Sequence, residues 1–204
     1  MPTQTQTLTA GFADQVMQSQ QVFRSILDSL SNPSRCVSIG QHVPECPDDV
    51  PSAVAAALLT LADYETPVYL APRFHTKPVL SWLAFHAGCP IVDTPDQAGF
   101  AVLDGGEPSP ALDRFNPGDE RYPDRSTTVF VVCADLSGGH PVRLRGPGIE
   151  HEAMIAPQGL HAGFWLEVEA NHSRFPMGVD LMLVSGADLI GLPRTTLATS
   201  GETV

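Results

Sequence analysis

Residues 175–196, FPMGVDLMLVSGADLIGLPRTT, constrain the fold more than any other part of the chain. Positions 179–184 are apolar except Asp180, Ser185-Gly186-Ala187-Asp188 carries turn chemistry, and 189–192 returns before Pro193, which cannot donate to a ladder. The pattern predicts a buried β-hairpin around which the other elements pack. Its register is the same for a two- or four-residue loop: Val184 faces Leu189, so Asp180 faces Pro193 with Thr195 diagonal on the same face. A carboxylate in such a run must find a partner or shift its pKa. Thr195 is a candidate partner, and the corner of Asp180, Arg194, Thr195 and Thr196 is the first place to look for chemistry. The same corner also reads as a hydrogen-bonded strand end, the usual state of buried polar groups.

The remaining chain supplies helices early and late. Phe12, Val16, Phe23, Ile26, Leu27 and Leu30 recur at helical spacing until Asn32-Pro33 stops them. Residues 50–63, VPSAVAAALLTLAD, are apolar nearly all round, which marks a helix buried within the fold. A third helix is predicted over 79–86 and a fourth over 158–171, with Leu160, Phe164, Trp165 and Val168 on one face. Short strands are predicted at 35–39, 67–70, 91–92 and 100–103. The TTVFVV run at 127–132 and the strand at 142–145 read as a second hairpin joined through Ser137-Gly138-Gly139-His140. Helices at both ends with five to seven short strands between them predict a three-layer α/β/α sandwich around a mixed sheet. At 204 residues and 43 % apolar content, one core and one domain over 1–204 are expected, with a frayed start at 1–11 and a surface excursion at 104–125.

Composition removes several classes. A net charge of −12 opposes a broad nucleic-acid or anionic-membrane surface, so any anionic ligand requires a local arginine cluster. No run approaches a membrane span, and the first ten residues have neither the basic nor the apolar region of a secretory signal, so a cytoplasmic protein is expected. Cys36, Cys46, Cys89 and Cys133 are scattered without a close pair, and His42 with Cys46 lacks the second pair of a metal site; no metal is expected. Lys77 is the only lysine and lies between two prolines, a poor place for a Schiff base. No GxSxG elbow, HExxH helix or phosphate loop occurs.

One candidate ligand contact remains. Arg143 and Arg145 share a face of the predicted strand, next to Gly146 and Gly148, where backbone can approach an anion closely. The alternative is a solvated strand face whose glycines make turns. Glu150-His151-Glu152 reads as surface charge, and His161 and His172 as helix histidines without a partnered carboxylate.

The segments LSGGHPVRLRGPGI (136–149), MIAPQ (154–158) and FPMGVDLMLVSGADLIGLPRTT, together with AALLTLADYETPVYL (56–70), Phe23-Arg24 and PDQAGFAVLD (95–104), resemble the H subunit family of the bacterial carbon-phosphorus lyase core complex. The resemblance runs from about residue 12 to residue 196. It implies a phosphonate-catabolism protein with a fold similar to the large domain of pyridoxal-phosphate-dependent transferases, lacking that cofactor and its lysine. It further implies a homodimer that assembles with G, I and J subunits. With the G, I and L subunits, the family is required for displacing adenine from ATP by a phosphonate, giving a ribose 1-phosphonate 5-triphosphate. No catalytic residue is carried over. The motif members present are Gly138, Gly139, Arg143, Gly146, Gly148, Asp180, Pro193, Arg194, Thr195 and Thr196. The expected role is an accessory or ligand-positioning subunit, inactive alone, with Arg143, Arg145 and Arg194 as anion contacts. The alternatives are a stand-alone anion-binding protein and a degenerate pyridoxal-phosphate-fold enzyme.

Overall fold

The computed structural model describes residues 10–107 and 111–200. Most of the expected frayed start and part of the 104–125 excursion therefore lie outside the described residues. Seven strands form one sheet in the order β1-β9-β8-β5-β4-β2-β3: β1 (Val37–Ser38), β2 (Val68–Leu70), β3 (Ile91–Val92), β4 (Phe100–Asp104), β5 (Thr128–Val132), β8 (Asp180–Ser185) and β9 (Asp188–Leu192). Only β9 runs against the others. The β8–β9 hairpin has the predicted register, Val184 opposite Leu189. Its interior residues are buried because β5 and two helices cover it.

Helix α1 (Gln15–Ser31) starts where the Asp14 side chain accepts the Met17 N–H at 3.0 Å and ends at Asn32, before Pro33. Its inward face is Val22, Ile26 and Ser29 rather than the whole predicted stripe, and Val16, Phe23 and Leu27 remain exposed. Close approach to β9 selects that face. A Cβ on Gly191 would meet the Ser29 carbonyl oxygen at 2.7 Å, and the Gly191 N–H donates to Ser29 Oγ at 2.5 Å. Helix α2 (Ser52–Leu61) is buried from Ala53 through Leu58, as its all-round apolar sequence predicts.

Alternation along β2 shows that both faces of the sheet are covered. Leu70, with Val102 of β4, lies among Leu58 of α2 and Val79, Trp82 and Leu83 of α3 (Lys77–His86). Tyr69 points the other way and meets Phe115 edge-on at 5.9 Å. Phe115 and Leu112 are buried, so residues 112–115 of the expected surface excursion belong to the second covering layer. Leu112–Arg114 forms a 3-10 turn that carries Leu112 into this layer.

Two expectations are corrected. Residues 142–145 do not form a hairpin with 127–132. Strand β5 is paired on both sides, by β4 and β8, leaving no edge for it. Instead β6 (Val142–Arg145) is the centre of a separate antiparallel sheet, β10-β6-β7, with β7 (Ala153–Ile155) and β10 (Leu197–Ser200). The last helix is also shorter than 158–171: α4 spans Phe164–His172. Gly159 and Gly163 take φ of +76° and +97°, left-handed conformations that end helical continuity before Phe164. Residues 158–163 are therefore a loop beside the small sheet.

Candidate functional site

The hairpin corner is closed. Arg194 sits on the turn between β9 and β10, closed by the Thr196 N–H donating to the Pro193 carbonyl at 2.8 Å. That turn brings its guanidinium back over Asp180. Nε donates to Asp180 Oδ1 at 3.1 Å, Nη2 to Oδ2 at 2.5 Å, and the Arg194 backbone N–H to Oδ1 at 2.9 Å. Nη1 donates to the Pro123 carbonyl at 2.7 Å, and Nη2 also reaches Ser126 Oγ. The partner of Asp180 is thus Arg194 and not Thr195. The arginine side chain keeps 10 % exposure and the aspartate 26 %. Thr196 is buried, with its hydroxyl unpartnered. With most of its guanidinium donors committed inside the protein, this corner ties the 123–126 segment to the hairpin end and offers an anion little.

The outer face of the small sheet is open. Val142 and Leu144 point inward and are fully buried, while Arg143 and Arg145 point outward. The predicted common face for the two arginines is therefore correct. Arg143 lies opposite Thr199 on one side and Met154 on the other, and Arg145 lies opposite Leu197. Both arginines reach one carboxylate, Glu152, from Arg145 Nη2 at 2.9 Å and Arg143 Nε at 3.6 Å. The Arg145 guanidinium, with Arg143 beside it, holds the Glu152 carboxyl below the usual carboxylate range. Glu152 is thus more than the surface charge its sequence suggests.

A cleft of about 1390 Å³ opens between this face and the loop before α4, and Trp165, His140 and His161 also line it. The loop is fixed by the His161 N–H, which donates to the Gly105 carbonyl at the end of β4 at 2.6 Å. The His161 ring lies 3.0 Å from the Ala162 carbonyl through Nδ1 and 3.7 Å from Glu167 Oε1 through Nε2. Glu167 Oε2 in turn accepts the Leu112 N–H at 3.0 Å. This His161–Glu167 pair was hidden by reading 158–171 as one continuous helix. The spacing of Gly159 and Gly163 was the available signal.

The motif glycines serve packing. A Cβ on Gly139 would lie 2.2 Å from the Pro157 carbonyl oxygen, on Gly146 2.8 Å from that of Thr195, and on Gly148 2.3 Å from that of Ser31. Gly146 therefore joins the two regions by seating the end of β6 on the Thr195-Thr196 backbone. Among the described residues no group of three or more His, Cys, Asp or Glu could hold a metal ion. Burial pushes the Cys133 thiol up to about 12, which leaves it a poor nucleophile.

Comparison with known proteins gives a consistent result. The family model for bacterial phosphonate metabolism protein (PhnH) matches residues 10–199. The chain is 39 % identical over 196 residues to the alpha-D-ribose 1-methylphosphonate 5-triphosphate synthase subunit PhnH of Rhizobium meliloti (strain 1021), covering 96 % of this chain and 98 % of that protein. It is 31 % identical over 184 residues to a protein of Stutzerimonas stutzeri named as C-P lyase subunit HtxG, covering 89 % and 86 %.

Proposed function

Because this chain belongs to the bacterial phosphonate metabolism (PhnH) family, we propose that it is a subunit of a carbon-phosphorus lyase system for phosphonate catabolism, acting with partner subunits in transfer of the ribose triphosphate of ATP to an alkylphosphonate. The observation that carries this reading is the match to a subunit of ribose 1-methylphosphonate 5-triphosphate synthase, which covers 96 % of this chain and 98 % of that protein. The chain is an accessory subunit that works in the cytoplasm within an assembly containing G, I and J subunits, and as a homodimer. The exposed stripe of Val16, Phe23 and Leu27 on α1 supports docking to another chain. No helix among the described residues is long and apolar enough to cross a membrane.

The large sheet is a cofactor-free counterpart of the pyridoxal-phosphate transferase domain. Its seven mixed strands covered on both faces support that relation. The position of Lys77, exposed at the first residue of α3, supports function without a Schiff base.

Reconstitution tests the proposal. Mixed subunits are expected to release adenine from ATP in the presence of methylphosphonate only when this chain is included, and the purified chain is expected to do nothing alone. Full release from a mixture lacking it, or turnover by the chain alone, would overturn the accessory role.

A further inference from the structure

We propose that the open face of the small sheet binds a phosphoryl-type anion carried on an organic body, with Arg143 and Arg145 holding the anion and Glu152 serving as the internal counter-ion that the ligand displaces. This goes beyond the subunit assignment, which places no ligand on this chain. The first support is charge. On a protein with 23 acidic and 11 basic residues, the described lining of the cleft includes two arginines and two histidines, and the carboxylates beside them are Glu152, shared by both arginines, and Glu167, near His161. Two arginines sharing the single negative charge of Glu152 favour an anion where the surrounding surface repels it.

The second support is geometry. One oxygen of Glu152 lies within reach of both guanidinium groups, so their spacing already suits a shared oxyanion. Each guanidinium has five N–H donors; Glu152 accepts one from Arg145 and meets Arg143 only as an ion pair at 3.6 Å, so most of these donors are uncommitted among the described residues. Arg143 and Arg145 are 53 % and 59 % exposed, against 10 % for Arg194, so a ligand can reach them without opening the core. A monocarboxylate balances one of the two positive charges. A dianionic phosphoryl or phosphonyl group balances both, and can accept several hydrogen bonds at once.

The third support is the wall. Met154 and Leu166 are 54 % and 69 % exposed, and Trp165 stands beside them. A cleft of about 1390 Å³ with such a wall has room for more than a free phosphate. The ligand therefore carries an organic part that lies on these side chains.

Trp165 provides the readout, because the other tryptophan, Trp82, is buried among α2, α3 and the sheet. The full-length chain is titrated at low salt with inorganic phosphate, tripolyphosphate and ATP, followed by Trp165 fluorescence and by calorimetry, with Trp165→Phe as the optical control. ATP is expected to bind saturably and more tightly than tripolyphosphate, and inorganic phosphate most weakly. The Arg143→Ala/Arg145→Ala double variant is expected to lose affinity by at least about tenfold. Glu152→Gln keeps an acceptor while removing the competing charge, and is expected to tighten binding by about threefold or more. Saturable binding that the arginine variant leaves unchanged, or no binding by any of the three anions, would overturn the site. Equal affinity for tripolyphosphate and ATP would overturn the organic part, and weaker binding by Glu152→Gln would overturn the counter-ion role. Because melting of the native chain and its variants is recorded in parallel, loss of affinity is separated from loss of fold. The adenine-release reconstitution stands or falls independently, so failure here leaves the subunit assignment intact.

Discussion

The Asp180–Arg194 corner and the Arg143–Arg145 face both pair arginine with a carboxylate, and they are used in opposite ways. At the corner one arginine meets two carboxylate oxygens, a backbone carbonyl and a serine hydroxyl, and its side chain is nearly out of solvent. On the small sheet two arginines share one exposed carboxylate and keep donors to spare. Saturation makes the first pair part of the architecture, while incomplete use makes the second available to a ligand. Residues 193–200 join them, since the motif residues 193–196 hold the corner and β10, which follows, borders the open face.

The largest expected effect comes from breaking the closed region. Arg194→Ala leaves Asp180 without its cation and releases Pro123 and Ser126, and is expected to cost about 3 kcal/mol. Urea unfolding monitored by circular dichroism measures it, and a cost below about 1 kcal/mol would remove the structural reading of the corner. Next is Gly148→Ala. Its Cβ would lie 2.3 Å from a backbone oxygen at a φ of +82°, and a loss of about 2 kcal/mol is expected, with unchanged anion affinity. A gain or loss of anion affinity without loss of stability would return this glycine to the ligand site.

Acid–base chemistry gives a third contrast. The folded Cys133 thiol is raised to about 12 from 9.0, so its contribution to stability is complete below about pH 9 and is lost as pH rises toward 12, because only the unfolded thiol ionises readily. The expected slope is up to about 1.4 kcal/mol per pH unit in that window, and Cys133→Ala should flatten it. An unchanged slope would mean that Cys133 is open to solvent. The smallest stability effects belong to the open face. Arg143→Ala and Arg145→Ala are each expected to change stability by no more than about 0.5 kcal/mol, since exposed ion pairs contribute little. A larger loss by either variant would show that the two regions are not as different as their exposure suggests.

Sequence pattern reveals these regions unequally. The hairpin register, the buried α2 and the common face of Arg143 and Arg145 follow from alternation and apolar content, which act locally. The partner of Asp180 does not, because strand register alone aims Thr195 at it, whereas the turn after Pro193 aims Arg194. The exit of β6 into a second sheet was hidden as well. It depends on β8 occupying the remaining side of β5, and β8 comes some fifty residues later in the chain. The His161–Glu167 pair required recognising that Gly159 and Gly163 interrupt an apolar pattern that otherwise looks helical. The family resemblance supplied the subunit assignment that neither spacing nor composition carried.

Hydrogen exchange with and without saturating ATP compares the two regions in a single experiment. New protection is expected in the 138–145 and 154–166 segments that border the cleft, with no change at 123–126 or 193–196. Protection confined to the Asp180–Arg194 corner, with the small sheet and the loop before α4 unaffected, would contradict the division between a closed structural pair and an open binding face.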